Sequence, residues 1–131
     1  MTGADSNVLL RYLVSDDIQQ QKTVERFLAS TRVAGEIVYV SCIVVCEMVW
    51  VLRRLYALSV PDVLDKIERL LNADVFRVED EDIVRRAVES SRHGKGDFAG
   101  YLIGHLHLAR GCPHTVTFDR DLRTDSAFSV L

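Results

Sequence analysis

The sequence predicts an α/β fold built on a parallel sheet. Short β-branched or aromatic runs alternate with longer helical patterns along the chain, which is how a parallel sheet covered by helices on both sides is encoded. Four acids, Asp5, Glu47, Asp97 and Asp119, sit in fragments where a strand should hand over to a helix. In an open α/β sheet such exits lie side by side, at the end of the sheet where ligands bind. The length of 131 residues, 48% of them apolar, suits one domain spanning 1–131 with a real core.

Each element follows in order. "TGAD" is a short, weakly apolar first strand, and "SNVLLRYLVS" continues as a helical turn or two. Asp16 or Asp17 caps the next helix, about 17–30, with Ile18, Val24, Phe27 and Leu28 on one side. "VYV" at 38–40 is a buried strand by its composition. Ser41 then stands where an N-cap is wanted, and the helix it opens, about 42–56, is apolar on most faces and expected to be central. Pro61 fits the first turn of a further helix, where its missing N–H costs little. Val63, Leu64, Ile67, Leu70 and Leu71 follow at helical spacing.

"VFRV" at 75–78 is a third strand, and "EDEDIVRRAVESS" is a surface helix with acids in its first turn, favourable against the helix dipole. "RHGKG" is a mobile loop leading to Asp97. The helix from there to Arg110 directs Phe98, Tyr101, Leu102, Leu106 and Ala109 inward, with Gly111 at its C′ position. "TVTF" at 115–118 is a fourth strand, and "FSVL" at the C-terminus is a candidate fifth.

No apolar run approaches the about 20 residues that span a bilayer. "MTGADSNVLL" has no basic stretch ahead of its apolar residues, so no signal peptide is expected and the cytoplasm is the expected compartment. Cys42, Cys46 and Cys112 are too few and too irregular for a disulfide framework. Cys42 and Cys46 read as small buried residues, and Trp50 and Tyr56 as core or dimer-interface residues. The net charge of −3, from 16 basic and 19 acidic residues, argues against a simple electrostatic nucleic-acid binder. It leaves room for an enzyme that reaches nucleic acid through metal ions and local arginines.

Taken singly, each acid has an ordinary structural reading beside a functional one. Asp5 and Asp97 are good helix N-caps, and Asp119 is a good turn residue. Glu47 lies among Val44, Val45, Met48, Val49, Val51 and Leu52. A Glu there pairs with an arginine such as Arg11 or faces a cleft, and the cleft is favoured. The "GKG" before Asp97 lets the backbone turn tightly or approach a phosphate. As a set, carboxylates gathered at strand exits repel one another unless a cation neutralises them. A divalent metal and a phosphodiester substrate fit that chemistry. Ser6 and Thr117 stand beside two of the acids, where a hydroxyl holds a carboxylate or a metal-bound water.

The stretches "DSNVLLRYLVSDD", "VSCIVVCEMVWVLRRLYALS", "GDFAGYLIGHLHLARGC" and "TFDRDL" together resemble a PIN domain, most closely the VapC-type ribonuclease toxins of toxin–antitoxin pairs. With the helical spacers between them, the likeness covers almost the whole chain. It implies a three-layer α/β/α fold, with a four- or five-stranded, mainly parallel sheet flanked by helices. It also implies a metal-dependent endoribonuclease whose acidic set is Asp5, Glu47, Asp97 and Asp119, ordered with the help of Thr117. Asp5, Asp97 and Asp119 are the expected ligands of Mg²⁺ or Mn²⁺, with Glu47 as a further ligand or acting through water. The expected partners are an RNA substrate, an antitoxin protein and a second copy of the chain, with no membrane. Arg11, Arg53, Arg54, Lys95 and Arg120 are candidate RNA contacts by position, as are Arg110 and Arg123. One departure stands out: many relatives read "DFAD" where this chain reads "DFAG", so Gly100 replaces an acid and puts a second metal position in doubt. A non-catalytic interaction module with a decayed site is the alternative.

Overall fold

The computed structural model describes residues 1–131, which divide into two compact units, Met1–Glu79 and Asp80–Leu131. All five expected strands form, and every pairing between them is parallel. They hydrogen-bond as two ladders, one of three strands and one of two. Each strand is only two or three residues long, so each ladder has few rungs.

The first unit runs β1 (Thr2–Gly3), α1 (Ser6–Leu13), α2 (Ile18–Val33), β2 (Val38–Val40), α3 (Cys42–Arg54), α4 (Val60–Asn72) and β3 (Phe76–Val78). Its ladder has the order β1-β2-β3. Val38 lies opposite Phe76 and Val40 opposite Val78, all four buried. Leu9, Leu10 and Leu13 of α1 supply core residues, as do Val45, Met48 and Leu52 of α3. On α4 the expected set Val63, Leu64, Ile67, Leu70 and Leu71 is buried as predicted.

Two helices of this unit bury a narrower face than the sequence predicts. On α2 the buried residues are Val24, Leu28 and Thr31, while Ile18 is 67% exposed and Phe27 is also exposed. Ile18 is the first helical residue, before the helix has turned onto its neighbour. On α3 the buried side is Cys42, Val45, Met48 and Leu52, a single stripe at spacings of three and four. Ile43, Trp50 and the adjoining Leu55 are exposed, so α3 is one-sided and Trp50 lies outside the core. Tyr56 is half-buried, and Asp17 caps α2 by accepting from Gln20 N at 3.0 Å.

The second unit runs α5 (Glu81–His93), α6 (Phe98–Ala109), β4 (Thr115–Thr117), a 3-10 turn (Arg120–Leu122) and β5 (Phe128–Val130). Ile83, Val84, Ala87, Val88 and Ser91 are the buried stripe of α5. On α6 Phe98, Tyr101, Leu102 and Gly104 are buried, whereas Leu106 is half-buried and Ala109 exposed. Gly104 takes the inward position because a Cβ there would overlap the Phe128 ring. Gly111 ends α6 with φ +93. Its N–H reaches Leu108 O, and Cys112 N reaches His107 O, both at 3.0 Å. Those two bonds satisfy the last carbonyls of the helix, a closure that favours glycine at the left-handed position.

Candidate active site

In the first unit, the exit of β1 places Asp5 at the N-cap of α1. Its Oδ1 accepts from Val8 N at 3.1 Å. Such a bond satisfies one of the orphan amides of a helix start. The side chain is exposed, and Oδ2 is left for another partner. Ser6, next along, is buried. Glu47 projects from the middle of α3, exposed, on the side away from Cys42, Val45, Met48 and Leu52.

The arginine offered as a partner for Glu47 is engaged elsewhere. Arg11 donates to Asp16 Oδ1 at 3.1 Å, to the Tyr56 hydroxyl at 3.3 Å and to Gln20 Oε1. Tyr56 in turn donates to Asp16 Oδ2. The Tyr56 hydroxyl, and Arg11 beside it, hold the Asp16 carboxyl below its ordinary range. The hydrogen bond to Asp16 pushes the Tyr56 phenol upward. Glu47 therefore stands without a protein partner, on a solvent-facing surface.

The N-terminus of α3 is closed twice over. Ser41 Oγ accepts from Val44 N at 3.3 Å, and Glu79 Oε2, at the exit of β3, accepts from Cys42 N at 2.9 Å. Glu79 escaped the sequence reading, because nothing near it in the chain marks a bond to a residue 37 positions earlier. Asn7 and Val8, just past Asp5, line a shallow apolar pocket with Arg11, Gln20, Thr23 and Val24.

In the second unit Asp97 repeats the arrangement of Asp5. It is the N-cap of α6, exposed, with Oδ1 accepting from Gly100 N at 2.8 Å. A Cβ at residue 100 would stand 2.8 Å from that same Oδ1. Gly100 thus lets the carboxylate close onto the helix. The neighbouring glycines have a packing role: a Cβ at Gly94 would overlap Tyr101 Oη, and Gly96 N donates to that hydroxyl at 3.1 Å. The "GKG" stretch wraps a buried tyrosine, and a phosphate is not needed to explain its glycines.

Asp119 leaves β4 and caps the 3-10 turn, its Oδ1 accepting from Asp121 N at 2.9 Å. Thr117 Oγ1 accepts from Asp119 N at 3.0 Å, which fixes the backbone carrying that acid.

The candidate cations differ in freedom. Arg53 donates to Leu58 O at 2.6 Å and braces the α3–α4 turn, where Ala57 has φ 52. Arg54 lies over the Trp50 ring, 5.9 Å from its centroid. Arg110 pairs with Asp80 at 3.2 Å. Arg123 donates to the Arg120 carbonyl at 2.9 Å. Lys95 and Arg120 are exposed and their charged ends make no hydrogen bond or ion pair.

The donors suit a hard divalent cation. All four acids are exposed, each aspartate keeps an oxygen beyond its cap bond, and Mg²⁺ needs only one or two carboxylates because it retains several waters. No three His, Cys, Asp or Glu side chains gather closely enough to cage an ion by themselves.

The PIN domain family profile matches residues 4–124. A relative described as a VapC ribonuclease, from Aquifex aeolicus (strain VF5), is 28% identical over 116 residues, covering 88% of this chain and 85% of the relative. The matched span takes in all four acids, the caps built on three of them and Gly100. The chain belongs to the PIN domain family.

Proposed function

We propose that residues 1–131 act as a single domain, a divalent-metal-dependent endoribonuclease that serves as the toxin of a toxin–antitoxin pair. The observation that carries this reading is the use made of three aspartates. Asp5, Asp97 and Asp119 each follow a strand or loop, each is fixed by a backbone amide on Oδ1, and each stays exposed. A carboxylate held in this way is oriented before any ligand arrives, which is what a metal site requires of its protein. Family membership and the ribonuclease named among the relatives supply the reaction class.

Asp5, Asp97 and Asp119 are the proposed ligands of Mg²⁺ or Mn²⁺, and Glu47 binds directly or orients water. This ligand set is the one that the likeness to PIN-domain ribonucleases implies. When bound, the ion would supply a water of lowered pKa and charge stabilisation at the scissile phosphate. Thr117 positions Asp119 through its backbone N–H. Lys95 and Arg120, with free cationic ends, are the stronger candidates for phosphate contact. Arg11 and Arg53 act first as braces of the fold. We further propose that the chain works as a homodimer in the cytoplasm, and that an antitoxin silences it by bringing an arginine or lysine to the carboxylates.

Gly100 favours a second reading, a non-catalytic interaction module, because it removes an acid that many relatives carry. One experiment separates the two. Purified chain is incubated with a mixed RNA pool in Mg²⁺, in Mn²⁺ and in EDTA. Cutting in either metal and none in EDTA supports the nuclease. A folded, partner-free protein that cuts in no metal favours the module.

A further inference from the structure

The most exposed aromatic ring in the molecule lies between two residues of the proposed site. Phe118 is 81% exposed, and it follows Thr117 and precedes Asp119 directly. Burial is what makes a phenyl group stabilise a fold, so a ring this open holds nothing together. Its backbone is nevertheless fixed on both sides. Thr117 Oγ1 accepts from Asp119 N across the residue, and Asp119 Oδ1 then accepts from Asp121 N. On the other strand of the ladder, Leu131 N donates to Thr117 O at 2.9 Å. The ring is therefore anchored at its base and open at its face, unlike an aromatic on a frayed end. Val116, two residues earlier on β4, is also exposed, so the apolar face continues along the strand. Two residues further on, the Arg120 guanidinium is exposed and unpaired.

An open aromatic face with a free guanidinium two residues away suits one ligand chemistry particularly well. Unstacked nucleobases pile onto aromatic side chains, while arginine takes the phosphate or stacks in its own right. We propose that Phe118 is a positioning residue that stacks a base of single-stranded RNA next to Asp119, with Arg120 holding the neighbouring phosphate. This rests on the nuclease reading and deepens it by naming the side chain that receives an unpaired base beside Asp119. Stacking selects for an unpaired base rather than for a particular sequence, since every base has a π-face.

The test compares the full chain with Phe118→Ala, Phe118→Tyr and Phe118→Trp. Binding of a labelled single-stranded RNA is followed by fluorescence anisotropy, and cleavage is measured in Mg²⁺ or Mn²⁺. Loss of one stacked base weakens binding on the order of tenfold. Phe118→Ala should therefore raise KM by about that factor with kcat little changed and an unaltered melting temperature, while the aromatic variants keep the parent affinity. In RNA carrying 2-aminopurine near the cut, the parent chain should quench the probe and Phe118→Ala should not. If the parent binds and cuts RNA and Phe118→Ala does so equally well, stacking is overturned and the nuclease reading stands. If the parent neither binds nor cuts any RNA, both fall, and the exposed ring belongs to a protein interface instead.

Discussion

The starts of α1 and α6 solve one local problem in two ways. Each opens on an aspartate whose Oδ1 accepts from the amide three residues on, Val8 in one and Gly100 in the other. The bond is 3.1 Å at Asp5 and 2.8 Å at Asp97. At the second helix a Cβ on residue 100 would meet Asp97 Oδ1 at 2.8 Å, closer than real Cβ contacts come. The glycine that looks like a missing ligand is also the residue that lets its neighbour close tightly. A change at position 100 therefore acts first on the Asp97 cap, and under the proposed function the same side chains serve as caps and as ligands.

Substitutions that split those roles should have the largest effects. Asparagine caps a helix as well as aspartate but carries no charge. Asp97→Asn and Asp5→Asn should each lower RNA cleavage by at least about 100-fold, the scale of removing a group that stabilises transition-state charge. Melting temperatures of both should stay near the parent's. Unfolding of the asparagine variants would assign both acids to structure alone.

Next in size is Gly94→Ala. The new methyl overlaps Tyr101 Oη and lies 2.9 Å from Ser90 O, a backbone atom that cannot swing aside. Overpacking of this kind costs about 1–3 kcal/mol, visible as a fall of several degrees in a thermal melt. A neutral result would mean the loop before Asp97 is not shaped by Tyr101. Removing the cap altogether, with Asp97→Ala, should cost about 1 kcal/mol beyond Asp97→Asn. Gly100→Ala is subtler. It gains about 1 kcal/mol of helix propensity and loosens a cap of similar worth. Stability should hardly move while cleavage falls, because the Asp97 carboxylate has been pushed off its position.

The smallest effect concerns the first unit alone and is read through pH. The Asp16 carboxyl is held below its ordinary range by Tyr56 and then Arg11, so its contribution is present above the unfolded pKa and fades as the solution is acidified through the folded value. Tyr56 is raised, so its contribution is complete below its ordinary pKa and is lost as alkali takes the pH through the raised value. In Tyr56→Phe both limbs of a stability–pH curve should flatten, and cleavage at neutral pH should persist. Unchanged limbs would remove the Tyr56 hydroxyl from any role in stability.

The local grammar of the chain was legible. Ser41, Asp17, Asp5, Asp97 and Gly111 declare helix ends by chemistry that needs only neighbours in sequence, and the α4 stripe follows from spacing alone. What escaped depends on partners far along the chain. The binding of Arg11 by Tyr56, 45 residues away, takes up the arginine that was the less favoured partner for Glu47. The Gly94 and Gly96 pair is explained by Tyr101, and the exposure of Ile18 and Trp50 by which side of each helix met a neighbour. Three of the four acids take the ordinary reading, as caps, and the functional one is the proposal made above. Residue type and position fit both readings equally, and the second oxygen on each capping carboxylate fits both as well.

Titration of Mn²⁺ into the folded chain and into Asp5→Asn, followed by calorimetry, tests most directly whether these caps are also ligands. The readout needs no knowledge of the RNA. Ligation by these caps predicts binding to the parent, markedly weaker binding to Asp5→Asn, and equal melting temperatures for the two metal-free proteins. Equal Mn²⁺ binding by both proteins, or none by a folded parent, would contradict it.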